Sequence, residues 1–323
     1  MPRASKTCLL LVNLGTPEAP TPAAVKRYLR EFLSDTRVVQ IPRPIWWLIL
    51  NGIILQTRPK KSAKAYASIW TERGSPLMSL TVDLADAVRE ELVGRGQGEV
   101  IVDIAMRYGQ PSVPSQLEKY KAAGVERFII LPLYPQYAAA TTASIYDKVV
   151  ETFTGWKHIP SFNFISDYHQ DEGYVSAVAS SIERYWQANG RSEKLLFSLH
   201  GLPEVSRKQG DPYYDQCVAS TAAIAAKLGL KDSEWILVFQ SRFGAQQWLK
   251  PYCVEVLAEL PKQGVKSVDV VCPGFAVDCL ETLEEIAIAN KEKFIEAGGE
   301  QYRYIPALNA DAGHARALVD LIS

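Results

Sequence analysis

The sequence predicts an α/β protein of two similar halves, each a parallel sheet flanked by helices. Two observations predict it. Apolar runs rich in Val, Ile and Leu alternate with helical patterns along the chain, and three landmarks recur in the same order in the two halves. The length, 323 residues, also exceeds what one core usually organises.

Six apolar runs read as buried strands: Cys8–Val12, Val100–Ala105, Arg127–Leu133, Leu195–Leu199, Trp235–Phe239 and Ser267–Val271. Thr21–Leu33 carries Val25, Tyr28, Leu29, Phe32 and Leu33 on one helical face, and Thr81–Val93 and Gly173–Gln187 read the same way. Strand–helix alternation means βαβ units with right-handed crossovers. The repeat aligns Leu9–Glu18 with Leu195–Glu204, Arg107-Tyr108-Gly109 with Arg242-Phe243-Gly244, and Gly124-Val125…Leu131-Pro132 with Gly264-Val265…Cys272-Pro273. Each landmark follows a strand, and open parallel sheets bind ligands beyond the carboxyl ends of their strands. Neither GxGxxG after a first strand nor GxxxxGK[ST] occurs, so a nucleotide ligand is not indicated.

Apolar residues make up 47% of the chain and charged residues 22%, with a net charge of −1, which gives no global pull toward nucleic acid. Five cysteines (Cys8, Cys217, Cys253, Cys272, Cys279) form no CxxC pair, against a zinc ribbon or redox dithiol and in keeping with a reduced, cytoplasmic chain. Arg3 and Lys6 precede an apolar run too short for a signal peptide, which argues against a secreted solute-binding protein. No run approaches the roughly 20 apolar residues needed to span a bilayer.

His200 directly follows the strand Leu195–Leu199 and stands where the first half has the inert Leu14. An imidazole there can ligate a divalent metal, take a proton near neutral pH, or simply bond a loop carbonyl. Glu281 and Glu285 share a helical face as paired carboxylates. A second reading of Glu281 stays open: Asp278 as N-cap, with Glu281 completing a capping-box-like helix start. Arg107-Tyr108, Tyr134-Pro135-Gln136-Tyr137 and Ser241-Arg242 offer basic and aromatic groups for a flat anionic ligand, and Thr141-Thr142 reads as a helix cap. Pro44–Leu55 is apolar, with two tryptophans and a rim of Arg43, Arg58, Lys60, Lys61 and Lys64. It suits a membrane interface, a lip around an apolar ligand, or an ordinary buried helix.

These motifs together resemble the ferrochelatases, most closely those of Gram-negative bacteria. The resemblance rests on Ser198-Leu199-His200-Gly201-Leu202-Pro203 with Gly210-Asp211-Pro212-Tyr213, on Asn13-Leu14-Gly15-Thr16-Pro17, on Phe239–Gly244, on Cys272–Glu285, and on Tyr134–Tyr137 with Thr141-Thr142. It spans nearly the whole chain. It implies two Rossmann-like domains, 1–158 and 159–307, with the active-site cleft between them, a lip at 44–55, and a C-terminal helix 308–323 packing back on the first domain. It implies Fe²⁺ and protoporphyrin IX as substrates, protoheme as product, and peripheral contact with the inner face of the membrane. His200 and Glu281 match the active-site positions expected to meet metal and protons, Glu285 a second acidic position, and Leu14, Arg107, Tyr108, Tyr134 and Ser241 the substrate contacts.

The chain departs from the animal enzymes in two places. Cys279 stands where they carry a second histidine. Ala138-Ala139-Ala140 replaces one of their cluster-binding cysteines, so no tightly bound cofactor and no [2Fe-2S] cluster is expected. The alternatives are a coproporphyrin III ferrochelatase, another tetrapyrrole chelatase, and a non-catalytic porphyrin or heme carrier.

Overall fold

The computed structural model describes residues 6–244 and 246–322; Arg3 and Ser323, used in the sequence reading, lie outside them. The chain forms two compact units, the second being Tyr168–Asp320. The first holds a four-stranded sheet of order β2-β1-β3-β4, from β1 (Thr7–Gly15), β2 (Ile101–Tyr108), β3 (Arg127–Pro132) and β4 (Ser161–Phe164). The second holds β5 (Lys194–His200), β6 (Trp235–Gln240), β7 (Ser267–Val271) and β8 (Gln301–Ile305), in the order β6-β5-β7-β8. All pairings within both sheets are parallel.

The predicted strands are all present, and two more were not foreseen. β4 is a short, largely exposed edge strand, and β8 mixes polar with aromatic residues. Neither gives a continuous apolar run, the signal of a buried parallel strand. β4 also moves the boundary. It pairs with β3, so the chain to Asp167 stays with the first unit, and the division is not at 158/159. The C-terminal helix Ala312–Asp320 packs on helix Glu172–Asn189 of the second unit, not on the first, because its apolar face (Ala315, Ala317, Leu318, Val319) is buried there.

The duplication is confirmed and its alignment refined. Asn13 pairs with Met106 in the first sheet, and Leu199 with Phe239 in the second. Both edge residues donate their N–H to a proline carbonyl, Met106 to Pro111 (2.7 Å) and Phe239 to Pro251 (2.8 Å). Leu14 is therefore the counterpart of His200, as the sequence indicated, but Arg107 corresponds to Gln240 and Tyr108 to Ser241, not to Arg242 and Phe243. The long loop after β6 hides this two-residue slip. Gly124 and Gly264 do correspond; β1–β3 and β5–β7 registers pair Leu131 with Val271 and Pro132 with Cys272.

Each unit has its own apolar core. Cys8, Leu10, Val12, Phe128 and Ile130 pack with Val113, Leu117, Ile145 and Phe153 in the first. Leu196, Val238, Val268 and Val270 pack with Leu257, Ile286 and Phe294 in the second. Helix Pro22–Leu33 starts where Thr21 Oγ accepts from the Ala24 amide, ahead of a proline at the first helical position. The apolar segment forms helix Arg43–Ile49, a π-turn Leu50–Ile54 and helix Leu55–Ile69. It is apolar on both sides. Trp46, Leu50 and Leu55 face inward, with the Trp46 indole donating to the Leu33 carbonyl (2.6 Å), while Trp47 and Leu48 are 63% and 64% exposed. No helix among the described residues is long and apolar enough to cross a membrane.

His314 lies buried in the last helix, its Nδ1–H donating to the Asn309 carbonyl (2.8 Å), and burial pushes its imidazole down to about 4. The unfolded chain takes up this proton near pH 6.5, so stability is complete above that pH and is lost as pH falls toward 4. This group alone should remove roughly 2 kcal/mol by pH 5. Urea unfolding at pH 7 and pH 5 checks it: His314→Gln should lose correspondingly less between the two, and equal losses in both proteins would contradict the assignment.

Candidate active site at the strand ends of the second unit

His200 is the last residue of β5 and pairs with Gln240, the last of β6. Its Nδ1 lies 2.7 Å from the Gly201 carbonyl oxygen, which can only accept. Nδ1 therefore carries a proton, and Nε2 makes no bond to any described residue. The half-buried ring thus has one nitrogen tied to a main-chain carbonyl and the other open.

Beyond Gln240 the chain turns through Ser241, which takes the left-handed conformation (φ +64°) unusual for a residue with a side chain. That turn directs both its amide (2.7 Å) and its hydroxyl (2.5 Å) onto the Glu285 carboxylate. Ser241 thus holds an acidic group through both its amide and its hydroxyl. Burial raises the Glu285 carboxyl; the Ser241 bonds and the His200 imidazole pull it back, Glu281 pushes it further, and the net shift is upward.

Glu281 and Glu285 lie on a π-helix, Glu281–Asn290, not an α-helix. In i→i+5 winding, residue i+4 still falls nearly over residue i, so the two carboxylates stay on one side, as predicted. The capping reading of Glu281 does not hold. Thr282 Oγ accepts from the Cys279 amide (3.0 Å) and donates to Asp278 (2.9 Å), and Asp278 is taken up by Tyr304 and Asn309. Glu281 is left with Cys279, whose thiol is pushed well up by burial and by the Glu281 charge beside it.

The first unit has no such open set. Arg107 donates to Asp35 (2.5 Å) and to the Ser144 hydroxyl (2.6 Å) and carbonyl (3.0 Å). The Tyr108 hydroxyl bonds Asp35 (2.8 Å). Burial alone would raise the Asp35 carboxyl, but bonds from Ser144, the Arg37 amide and Tyr108, with the Arg107 charge, hold it below the usual carboxylate range. Arg107 is nearly buried and Tyr108 completely so, and both are bound into this cluster. Tyr134 packs on the first core. Leu14, half-buried at the end of β1, keeps a position suited to contact. Thr141-Thr142 do not form a cap: they lie in a π-turn, Ala139–Ala143, before helix Ser144–Thr154, and the Thr142 hydroxyl is buried without a partner.

Sequence reasoning missed Asp35 and Ser144, which lie 72 and 37 residues from Arg107 with no local pattern to mark them. Among the described residues no three His, Cys, Asp or Glu side chains are gathered closely enough to hold a metal ion.

Two four-stranded parallel sheets, each with functional side chains at the carboxyl ends of its strands, define the fold class. The fold agrees with solved chelatases: SirB from Bacillus subtilis with Fe³⁺ superposes with a TM-score of 0.58 at 13% identity, over 98% of this chain and 94% of that one. The structure of CbiX gives 0.52 over 97% of each chain. The ferrochelatase family profile matches residues 6–323. The ferrochelatase of Methylococcus capsulatus is 59% identical over 99% of this chain and 97% of its own, and that of Nitrosococcus oceani 50% identical over 97% and 85%. The chain belongs to the ferrochelatase family.

The Asp35–Arg107 cluster makes a testable demand on stability. Arg107→Ala strands a buried carboxylate and should cost about 3–5 kcal/mol in urea unfolding. Combining it with Asp35→Asn should cost less than the two single changes together.

Proposed function

We propose that the protein inserts Fe²⁺ into protoporphyrin IX to give protoheme, releasing two protons, as the last step of heme synthesis. The observation that carries this reading is His200, with Nδ1 tied to a main-chain carbonyl and Nε2 open, beside Glu281 and Glu285 in a chain matched to ferrochelatases along its length. Metal insertion removes two pyrrole protons and brings a nearly dehydrated cation to four nitrogens. A flat macrocycle hides those nitrogens' lone pairs in the ring plane, so binding a distorted ring lowers the barrier.

In this reading His200 Nε2 and Glu281 are the two groups that meet the metal and the pyrrole protons. Glu285 relays protons outward, a role its raised affinity for a proton suits. Leu14 gives the macrocycle an apolar contact. The exposed Ile45, Trp47, Leu48 and Ile53, with the basic rim at Lys60, Lys61 and Lys64, support a lip that also rests on the inner membrane face. The reading includes no iron–sulfur cluster, since Ala138-Ala139-Ala140 stands where the animal enzymes carry one of the cluster cysteines.

The test is turnover of protoporphyrin IX with Fe²⁺ and with Zn²⁺, followed by metalloporphyrin absorbance. His200→Ala and Glu281→Gln should each lose about 10²–10⁴-fold in kcat with an unchanged circular dichroism spectrum. Near wild-type turnover in both would reject the assignment, and stoichiometric binding without turnover in the wild type would make it a carrier.

A further inference from the structure

Resting on the reading of His200 as the reactive imidazole, we propose that Tyr213 is a positioning residue. It fixes the His200–Gly201 peptide so that the Gly201 carbonyl holds a proton on Nδ1 and Nε2 is the ring nitrogen left open.

The peptide plane between His200 and Gly201 is bonded on both sides. Its oxygen, the His200 carbonyl, accepts from the Tyr213 hydroxyl (2.9 Å), and its N–H, that of Gly201, donates to the Gln240 carbonyl (2.8 Å). The plane is therefore held at both ends, from β6 on one side and from helix Tyr213–Lys227 on the other. The next carbonyl, that of Gly201, is thereby presented to His200 Nδ1 at 2.7 Å. Residue 201 has no room to settle otherwise. A Cβ there would lie 2.8 Å from the Gln240 carbonyl oxygen and 3.1 Å from the Trp248 ring. Tyr213 is itself fixed. It is buried, and its amide donates to the Asp211 carboxylate (3.0 Å), so the Gly210-Asp211-Pro212-Tyr213 turn sets the hydroxyl. The phenol stays protonated, since burial raises it well above its ordinary range, and it can only donate to the carbonyl.

A purely structural tyrosine would serve stability alone. A positioning tyrosine also sets which imidazole nitrogen carries the proton. Loss of the hydroxyl frees the peptide plane and weakens the Nδ1–H bond to Gly201, by an amount typical of one such bond, equivalent to about tenfold in the tautomer ratio.

The test compares Tyr213→Phe with Tyr174→Phe. The second removes an equivalent buried hydroxyl, one that donates to the Pro273 carbonyl (2.5 Å), and so reports loss of stability alone. Two readouts are taken: imidazole ¹⁵N chemical shifts of His200 in the resting protein, and kcat and porphyrin KM for Zn²⁺ insertion. The expected result is that Tyr213→Phe shifts His200 toward the Nε2-protonated tautomer and lowers kcat about tenfold with KM within twofold, while Tyr174→Phe does neither at similar melting temperature. An unchanged His200 tautomer in Tyr213→Phe overturns the proposal, whatever happens to activity. A kcat loss no larger than that of Tyr174→Phe overturns it as well. Because the ¹⁵N readout does not depend on turnover, it separates failure of this mount from failure of His200 as a reactive group, which His200→Ala decides.

Discussion

The whole arrangement depends on two close approaches between a glycine and a neighbouring strand. After β1, a Cβ on Gly15 would lie 1.8 Å from the Tyr108 carbonyl oxygen, and after β5 a Cβ on Gly201 would lie 2.8 Å from that of Gln240. Only glycine allows the central strand to run so close to the edge strand at its carboxyl end. The residue just before each glycine is left at the strand tip: Leu14 in one unit, His200 in the other. Asn13-Leu14-Gly15 and Leu199-His200-Gly201 are two copies of one backbone device with different side chains.

The copies then diverge in how they treat charge. Beside Leu14, the position after β2 is closed by Asp35, Arg107, Tyr108 and Ser144, in which every charge meets its opposite or a hydroxyl. Beside His200, Ser241 holds Glu285 with two donors that carry no positive charge, and Glu281 has only a neutral thiol. The first unit closes its strand tip with an ion pair, and the second places two carboxyl groups on one π-helix near a single imidazole. Like carboxylates close together in a partly dry setting favour an incoming cation or proton. The Ser241 backbone, held at positive φ, is the local strain that accompanies this.

Much of this was legible in the sequence. The strands that read as continuous Val, Ile and Leu runs are the buried centres and flanks of the two sheets, and the repeat of Leu9–Glu18 in Leu195–Glu204 located His200 correctly. What failed has a physical reason in each case. β4 and β8 lie at sheet edges, where one-sided burial dilutes the apolar signal; Arg303 on β8 is even ion-paired to the buried Asp269. The π-winding of Glu281–Asn290 leaves no distinct sequence period, and the bond to the Cys279 amide at its start comes from Thr282 rather than Glu281, with Thr282 held by Asp278, which Tyr304 and Asn309 reach from elsewhere in the chain. Arg107 and Tyr108 looked like ligand contacts because their partner, Asp35, lies far away in sequence.

The burial of the cysteines has a consequence for durability. A protein that handles ferrous iron in the presence of oxygen is exposed to peroxide, and cysteine oxidation proceeds through the thiolate at an accessible sulfur. Here each of the five sulfurs is at most 2% exposed and each thiol is raised above its ordinary range. Even Cys279, next to Glu281, is kept as a thiol, by burial first and by the neighbouring carboxylate second. The chain thus keeps sulfur beside its strand-end carboxyl groups without exposing a site for oxidative inactivation.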